Sequence, residues 1–158
     1  MQTRTTTFLK LALFIIGITM LALCVFWLPR VASSLADQNP EFAHLRYPVQ
    51  LGLYVTGIPF YFALFQALKL LNLIKGKNAF SELAVDSLKH IKYSGAAIIV
   101  AYVLGMVYLI VQNALHPGIA ILALGIIFAS ATISFFAAVL QELLRSALEI
   151  KSENDLTV

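Results

Sequence analysis

Few residues in this chain could do chemistry. His44, His90 and His116 are its imidazoles and Cys24 is its one thiol. No two histidines stand at the helical spacing that lets both reach one metal ion. Asp37, Glu41, His44 and His116 lie in the two connections on one side of the apolar runs. They could meet there as a weak metal or pH-sensitive site, although ordinary loop polarity accounts for the same residues. A single cysteine makes neither an intramolecular disulfide nor a cysteine cluster, and within an apolar run it reads as a small hydrophobe. Leu21-Ala22-Leu23-Cys24 has the outline of a lipidation signal, but Leu23 stands where a small residue belongs. Ser130 and Ser134 have no base near them and read as packing residues. A glycine-rich phosphate loop is absent. The expectation is a protein that is not an enzyme and holds no cofactor or metal.

The elements that would position such residues are all of one kind. Of 158 residues, 60% are hydrophobic and 12% are charged, against about 45–50% and about 25% in a soluble domain. A chain of this size cannot hide that much apolar surface from water, and a disordered chain needs low hydrophobicity. The composition therefore predicts an all-α, polytopic membrane protein with a single domain over residues 1–158. Spanning a bilayer core takes about 20 apolar residues. Four such runs occur, at about 11–28, 49–68, 94–111 and 118–140, followed by a polar tail over 145–158. The first run could instead be a cleaved signal, but it is about 18 residues long where a signal core has about 7–15. A retained helix ended by Pro29 is the expectation.

Basic residues set the orientation. Nine lie on one side: Arg4, Lys10, Lys69, Lys75, Lys77, Lys89, Lys92, Arg145 and Lys151. Only Arg30 and Arg46 lie on the other. The asymmetry places both termini in the cytoplasm of a bacterial cell, with the chain in its plasma membrane. The basic residues are too few, and too near the bilayer, for direct nucleic-acid binding. The outer connection over 29–48 is expected as a loop punctuated by Pro40 and Pro48. Asn113, Pro117 and Gly118 predict a tight turn, so spans three and four should form an antiparallel hairpin.

Membrane helices pair where small residues let backbones approach. Ala97, Ala101 and Gly105 in span three, and Gly125, Ala129, Ser130 and Ser134 in span four, are expected to form that seam. Gly57 and Pro59 should kink span two. No span carries an ionisable residue at mid-depth, where transport paths usually do. Tyr54, Tyr61, Tyr102 and Tyr108 suit either interface anchoring or polar packing.

Between spans two and three, Gly76 should end a helix and Ser81 should cap the next, with Glu82 in its first turn. Phe80, Ala84, Leu88 and Ile91 recur at helical spacing, predicting an interfacial amphipathic helix. Lys75, Lys77, Lys89 and Lys92 would then meet anionic headgroups. Span four should continue as a helix, with Glu142, Arg145 and Glu149 spaced for surface pairs. The polar tail is either frayed or a peptide that another protein reads.

Several of these segments carry a resemblance. They are Gly76-Lys77-Asn78-Ala79-Phe80-Ser81, then Leu88-Lys89-His90-Ile91, then Pro117-Gly118, then Leu140-Gln141-Glu142-Leu143-Leu144 with Ala147, and the closing Glu153-Asn154-Asp155-Leu156-Thr157-Val158. In this order, on a four-span frame, they resemble a family of bacterial membrane proteins grouped as domain of unknown function 2975, over nearly the whole chain. Members often look to be encoded beside a small Cro/C1-type helix-turn-helix regulator, so the resemblance implies such a transcriptional regulator as partner and no established activity. On this reading Glu149, Lys151, Glu153, Asn154, Asp155, Leu156 and Thr157 form a partner-binding tail. The alternative is a small permease, or an immunity-type component binding a lipid-soluble compound or peptide in the bundle, which would need a homo-oligomer formed through span three or four. A plain structural bundle in the lipid bilayer is the third reading.

Overall fold

The computed structural model describes residues 2–157, with side chains over 4–156, and every element among them is helical. Helix α1 (Gln2–Ala22) passes through one π-helical turn (Leu23–Trp27) into α2 (Leu28–Gln38). A 3-10 segment (Pro40–Leu45) leads into α3 (Arg46–Lys75), which is followed by α4 (Glu82–Val111) and α5 (Pro117–Thr157). Four rods result, each long and apolar enough to cross a membrane. A helix of 30 residues, such as α3 or α4, is about 45 Å long. It therefore overruns a hydrocarbon core of about 30 Å.

Three contacts set the antiparallel register. The Tyr61 hydroxyl reaches the Gly17 carbonyl, the Phe62 ring meets His90 edge-on, and the Ser134 hydroxyl reaches the Lys92 carbonyl. The helices pack in chain order, α1 on α3, α3 on α4 and, most extensively, α4 on α5. The start of α1, the end of α5 and the α3–α4 turn therefore lie at one end of the molecule, here the terminal end. The α2 helix, the 3-10 segment and the α4–α5 turn lie at the opposite end, where His44 Nε2 is 3.5 Å from Gln112 Oε1. Few large apolar side chains are buried, and Phe128, Ile121 and Leu122 are at least 70% exposed. Only a lipid solvent accepts that surface without aggregation.

Two local expectations are corrected. The connection over 29–48 is helical for nearly its whole length. Pro29 falls in the first turn of α2, Pro40 opens the 3-10 segment, and Pro48 lies in the first turn of α3. For Pro40 and Pro48 this is a true helix start, where a missing N–H does no harm, whereas Pro29 follows the π-helical turn directly. The interfacial helix is also not a separate element. Glu82–Val111 is one continuous helix, because no glycine or proline falls between Ser81 and Gly95. Ala84, Val85 and Leu88 are buried against protein, while Phe80 is exposed. Ala84 and Leu88 of the apolar stripe thus pack in the bundle.

Helix ends follow local chemistry more closely. Gly76 caps α3 with its N–H on the Asn72 carbonyl, but at φ −81° it is Lys77, at φ 62°, that takes the left-handed position. The Ser81 hydroxyl accepts from Ala84 N–H at 3.3 Å and donates to the Asn78 carbonyl at 2.7 Å. Ser81→Ala removes both bonds. It should destabilise the fold by about 1 kcal/mol, read as an earlier midpoint in detergent unfolding. At the far turn Asn113 has φ 56°, and His116 Nδ1 accepts from Gly118 N–H at 3.0 Å, which starts α5.

Candidate functional site

The α1–α3 seam is held by two tyrosines. Tyr54 and Tyr61 lie seven residues apart on α3, and their hydroxyls donate at 2.8 Å to the carbonyls of Cys24 and Gly17, also seven apart. These two tyrosines are polar packing groups. The Cys24 contact has a chemical cause in the chain. In the π-helical turn, Leu28 N–H bonds to the Leu23 carbonyl, five residues back. On that pattern the Cys24 carbonyl should receive the N–H of residue 29, which is proline and has none. Tyr54 supplies the missing donor from the neighbouring helix. Its hydroxyl also accepts from Gln50 Nε2 at 3.1 Å, so a chain of polar groups runs from Gln50 through Tyr54 to α1.

At Gly95 the α4–α5 seam is tight. A Cβ there would overlap Ser134 Oγ and lie 3.1 Å from the Ser130 carbonyl. Ala123, Ser130, Ala137 and Gln141 are buried on α5, and Ala84, Leu88, Ser94 and Gly95 on α4. Ser130 and Ser134 therefore lie on the seam as expected. Ala97, Gly105, Gly125 and Ala129 are exposed, Ala101 is half-buried, and a Cβ at Gly105 or Gly125 would meet nothing within 4 Å. Ser94 and Gly95, the small residues of span three that matter, lie two to three residues before the expected stripe and on another face, because the helix pair fixes which face of α4 turns inward.

Counting from the register contacts, Gln66 and Ser87 lie about one turn toward the terminal end on α3 and α4, and Gln141 lies about two turns that way on α5, within a turn of their level. All three are buried. Gln66 Oε1 and Ser87 Oγ meet no protein partner. Polar groups buried between membrane helices carry a packing cost, and their best-attested role is to fix register.

The expected tail residues all fall on α5. Glu149, Lys151, Glu153, Asn154, Asp155 and Leu156 are exposed along a helix that continues through Thr157, whose side chain lies outside the described residues, as does Val158. Arg145 pairs with Glu142 at 3.1 Å. Lys75, Lys77 and Lys89 are exposed and Lys92 is half-buried, with its Nζ 4.8 Å from the Tyr93 ring centroid. All four belong to the terminal half of the molecule. Among the described residues no three His, Cys, Asp or Glu side chains could hold a metal, and Asp37 instead lines an open groove on α2 with Arg30, Ser33 and Ser34. Helix α3 runs unbroken through Gly57 and Pro59.

Sequence reasoning missed the tyrosine–carbonyl pairing. Its only signal was the matched seven-residue spacing of Tyr54 with Tyr61 and of Gly17 with Cys24, together with a proline five residues beyond Cys24.

Comparison with known proteins places these features in a family. The family model described as "Protein of unknown function (DUF2975)" matches residues 30–158. The chain is 52% identical over 160 residues to the "Uncharacterized membrane protein YoaS" of Bacillus subtilis (strain 168), covering all of both chains. No solved structure matches it.

Proposed function

The chain belongs to the DUF2975 family of membrane proteins, and from that premise we propose that it is a non-enzymatic tether holding a cytoplasmic partner at the membrane through the end of α5. The observation that carries this reading is the length of that helix. It has 41 residues, or about 60 Å, roughly twice the hydrocarbon thickness. Its last turns run past the level at which α4 begins, and Leu143, Ile150 and Leu156 there are each more than 60% exposed. An exposed helix bearing apolar side chains among charged ones suits a partner that reads helix faces. The nine-to-two bias of Lys and Arg supports a cytoplasmic terminal end. Lys75, Lys77 and Lys89 would meet anionic headgroups there, at about 1 kcal/mol each. The partner is a small helix-turn-helix regulator of the Cro/C1 type. A change in the packing of α3 and α4 beneath α5 would alter its release.

The permease or immunity-type reading draws less support. It needs a path lined by several copies of the chain, and α3, where Gly57 and Pro59 could loosen a helix, is continuous through both.

A pull-down from bacterial membranes in mild detergent tests the tether. The full-length chain is compared with one ending at Ser152, and co-purifying proteins are identified by mass spectrometry. A helix-turn-helix protein retained only by the full-length chain is the expected result. Equal retention by both chains removes the tail from the interface. Absence of any soluble partner with either form overturns the tether, and flux and compound-resistance assays follow.

A further inference from the structure

The outer end of α3 holds two polar atoms that complement each other and lack partners. Arg46 Nε and Gln50 Oε1 are both buried and neither meets a protein atom within hydrogen-bond distance. One is an obligate donor and the other an acceptor. They stand four residues apart on one helix, so their side chains share a face.

The orientation of the Gln50 amide is set by its neighbours. Tyr54 has one hydroxyl proton, and it goes to the Cys24 carbonyl at 2.8 Å. The Tyr54 oxygen can then only accept, so the group facing it at 3.1 Å must be the amide nitrogen of Gln50. Flipping the amide would set oxygen against oxygen, which leaves Oε1 as the atom in want of a donor. The Arg46 guanidinium carbon lies 4.9 Å from the Tyr47 ring centroid, which holds the arginine on its own side. An oxygen bearing a proton satisfies both atoms at once, by accepting from Nε–H and donating to Oε1. A carboxylate or phosphate oxygen cannot donate, and an ammonium group cannot accept.

We propose that Arg46 Nε and Gln50 Oε1 hold one hydroxyl oxygen, from water or from a lipid glycerol headgroup. It completes a chain running Arg46, hydroxyl, Gln50, Tyr54, Cys24 carbonyl. The chain ties the charged start of α3 to the π-helical turn of the first rod, across the carbonyl that Pro29 leaves without a donor. The site lies near the start of α3, at the end of the apolar run.

The test is solid-state NMR on the full-length protein, labelled with 15N and reconstituted in phosphatidylcholine, a headgroup with no hydroxyl. Magnetisation transfer from protons at the water frequency, resolved from the Tyr54 hydroxyl proton, to Arg46 Nε–H and to the Gln50 side-chain amide is expected, identifying water. Transfer that appears only when phosphatidylglycerol is added identifies the lipid hydroxyl and equally supports the site. Arg46→Lys keeps the charge but has no Nε–H, and Tyr54→Phe frees the amide to flip. Each should abolish the transfer at Gln50. Absence of transfer in the wild type in both lipids overturns the proposal. So does a direct Arg46 Nε–H to Gln50 Oε1 contact, or transfer at Gln50 that survives Arg46→Lys. The wild-type measurement decides even if a variant fails to fold.

Discussion

Gly95→Leu is expected to prevent α4 and α5 from assembling. Even the first atom of a side chain at this position overlaps Ser134 Oγ. Ser134 is not free to turn away, since its hydroxyl bonds to the Lys92 carbonyl at 3.0 Å. Turning it would still leave the Ser130 carbonyl 3.1 Å and the Ser134 Cβ 3.2 Å from the new atom, and a backbone carbonyl moves only if the whole helix moves. Overpacking a tight seam costs about 1–3 kcal/mol, and leucine adds three further carbons to the clash. Gly95→Ala is the milder form. Alanine gains up to about 1 kcal/mol in helix propensity over glycine, so the net loss should be up to about 2 kcal/mol. Gly105→Ala and Gly125→Ala are the controls, because their Cβ positions are open and only the propensity gain remains. Unfolding midpoints in mild detergent for the four variants should therefore order as Gly105→Ala and Gly125→Ala at or above wild type, then Gly95→Ala, then Gly95→Leu. Equal stability of Gly95→Leu and wild type would mean that α4 and α5 do not meet at this residue.

Tyr54→Phe should cost about 1–2 kcal/mol, more than the loss of an average interhelical hydrogen bond in a membrane, which is about 0.6 kcal/mol. The excess arises because the Cys24 carbonyl loses its only ready donor, since the N–H it would otherwise receive belongs to a proline. That cause can be checked by restoring the donor. Pro29→Ala supplies an N–H five residues beyond Cys24, so in its background Tyr54→Phe should cost distinctly less. A double-mutant cycle by detergent unfolding gives the coupling directly. Independent, additive effects would show that Pro29 does not govern the carbonyl. Tyr61→Phe is the internal comparison. Gly17 has no proline five residues on, so its carbonyl keeps a helical donor and the loss should stay near the average value.

Much of the fold was legible in the residues taken in order. Four apolar runs became four rods, Ser81 became an N-cap, Glu142 paired with Arg145, and Pro117 opened a helix that carries the tail. Each of these depends on residues within a turn or two of one another. The seams were not legible in the same way. The stripe of Ala97, Ala101 and Gly105 has the right residue types, yet Gly95 makes the contact. Ten residues along an α-helix turn the face by about 80°, and nothing within α4 says which of those two faces meets α5. The π-helical turn at Leu23–Trp27 was hidden for the same reason, because its stabilising donor sits thirty residues away on another helix.

The sequence by itself determined that this chain crosses a membrane four times, that its basic residues gather at the end where α1 starts and α5 ends, and where α4 and α5 start. Those outcomes are sums over neighbouring residues: hydrophobic transfer along a run, charge in a connection, a hydroxyl beside a free N–H. Tertiary structure alone decided which small residues touch, that the amphipathic stretch after Ser81 is the upright base of α4, and that Tyr54 completes the helix Pro29 interrupts. Those outcomes depend on the rotation and register of one helix against another, which the sum over neighbours does not contain.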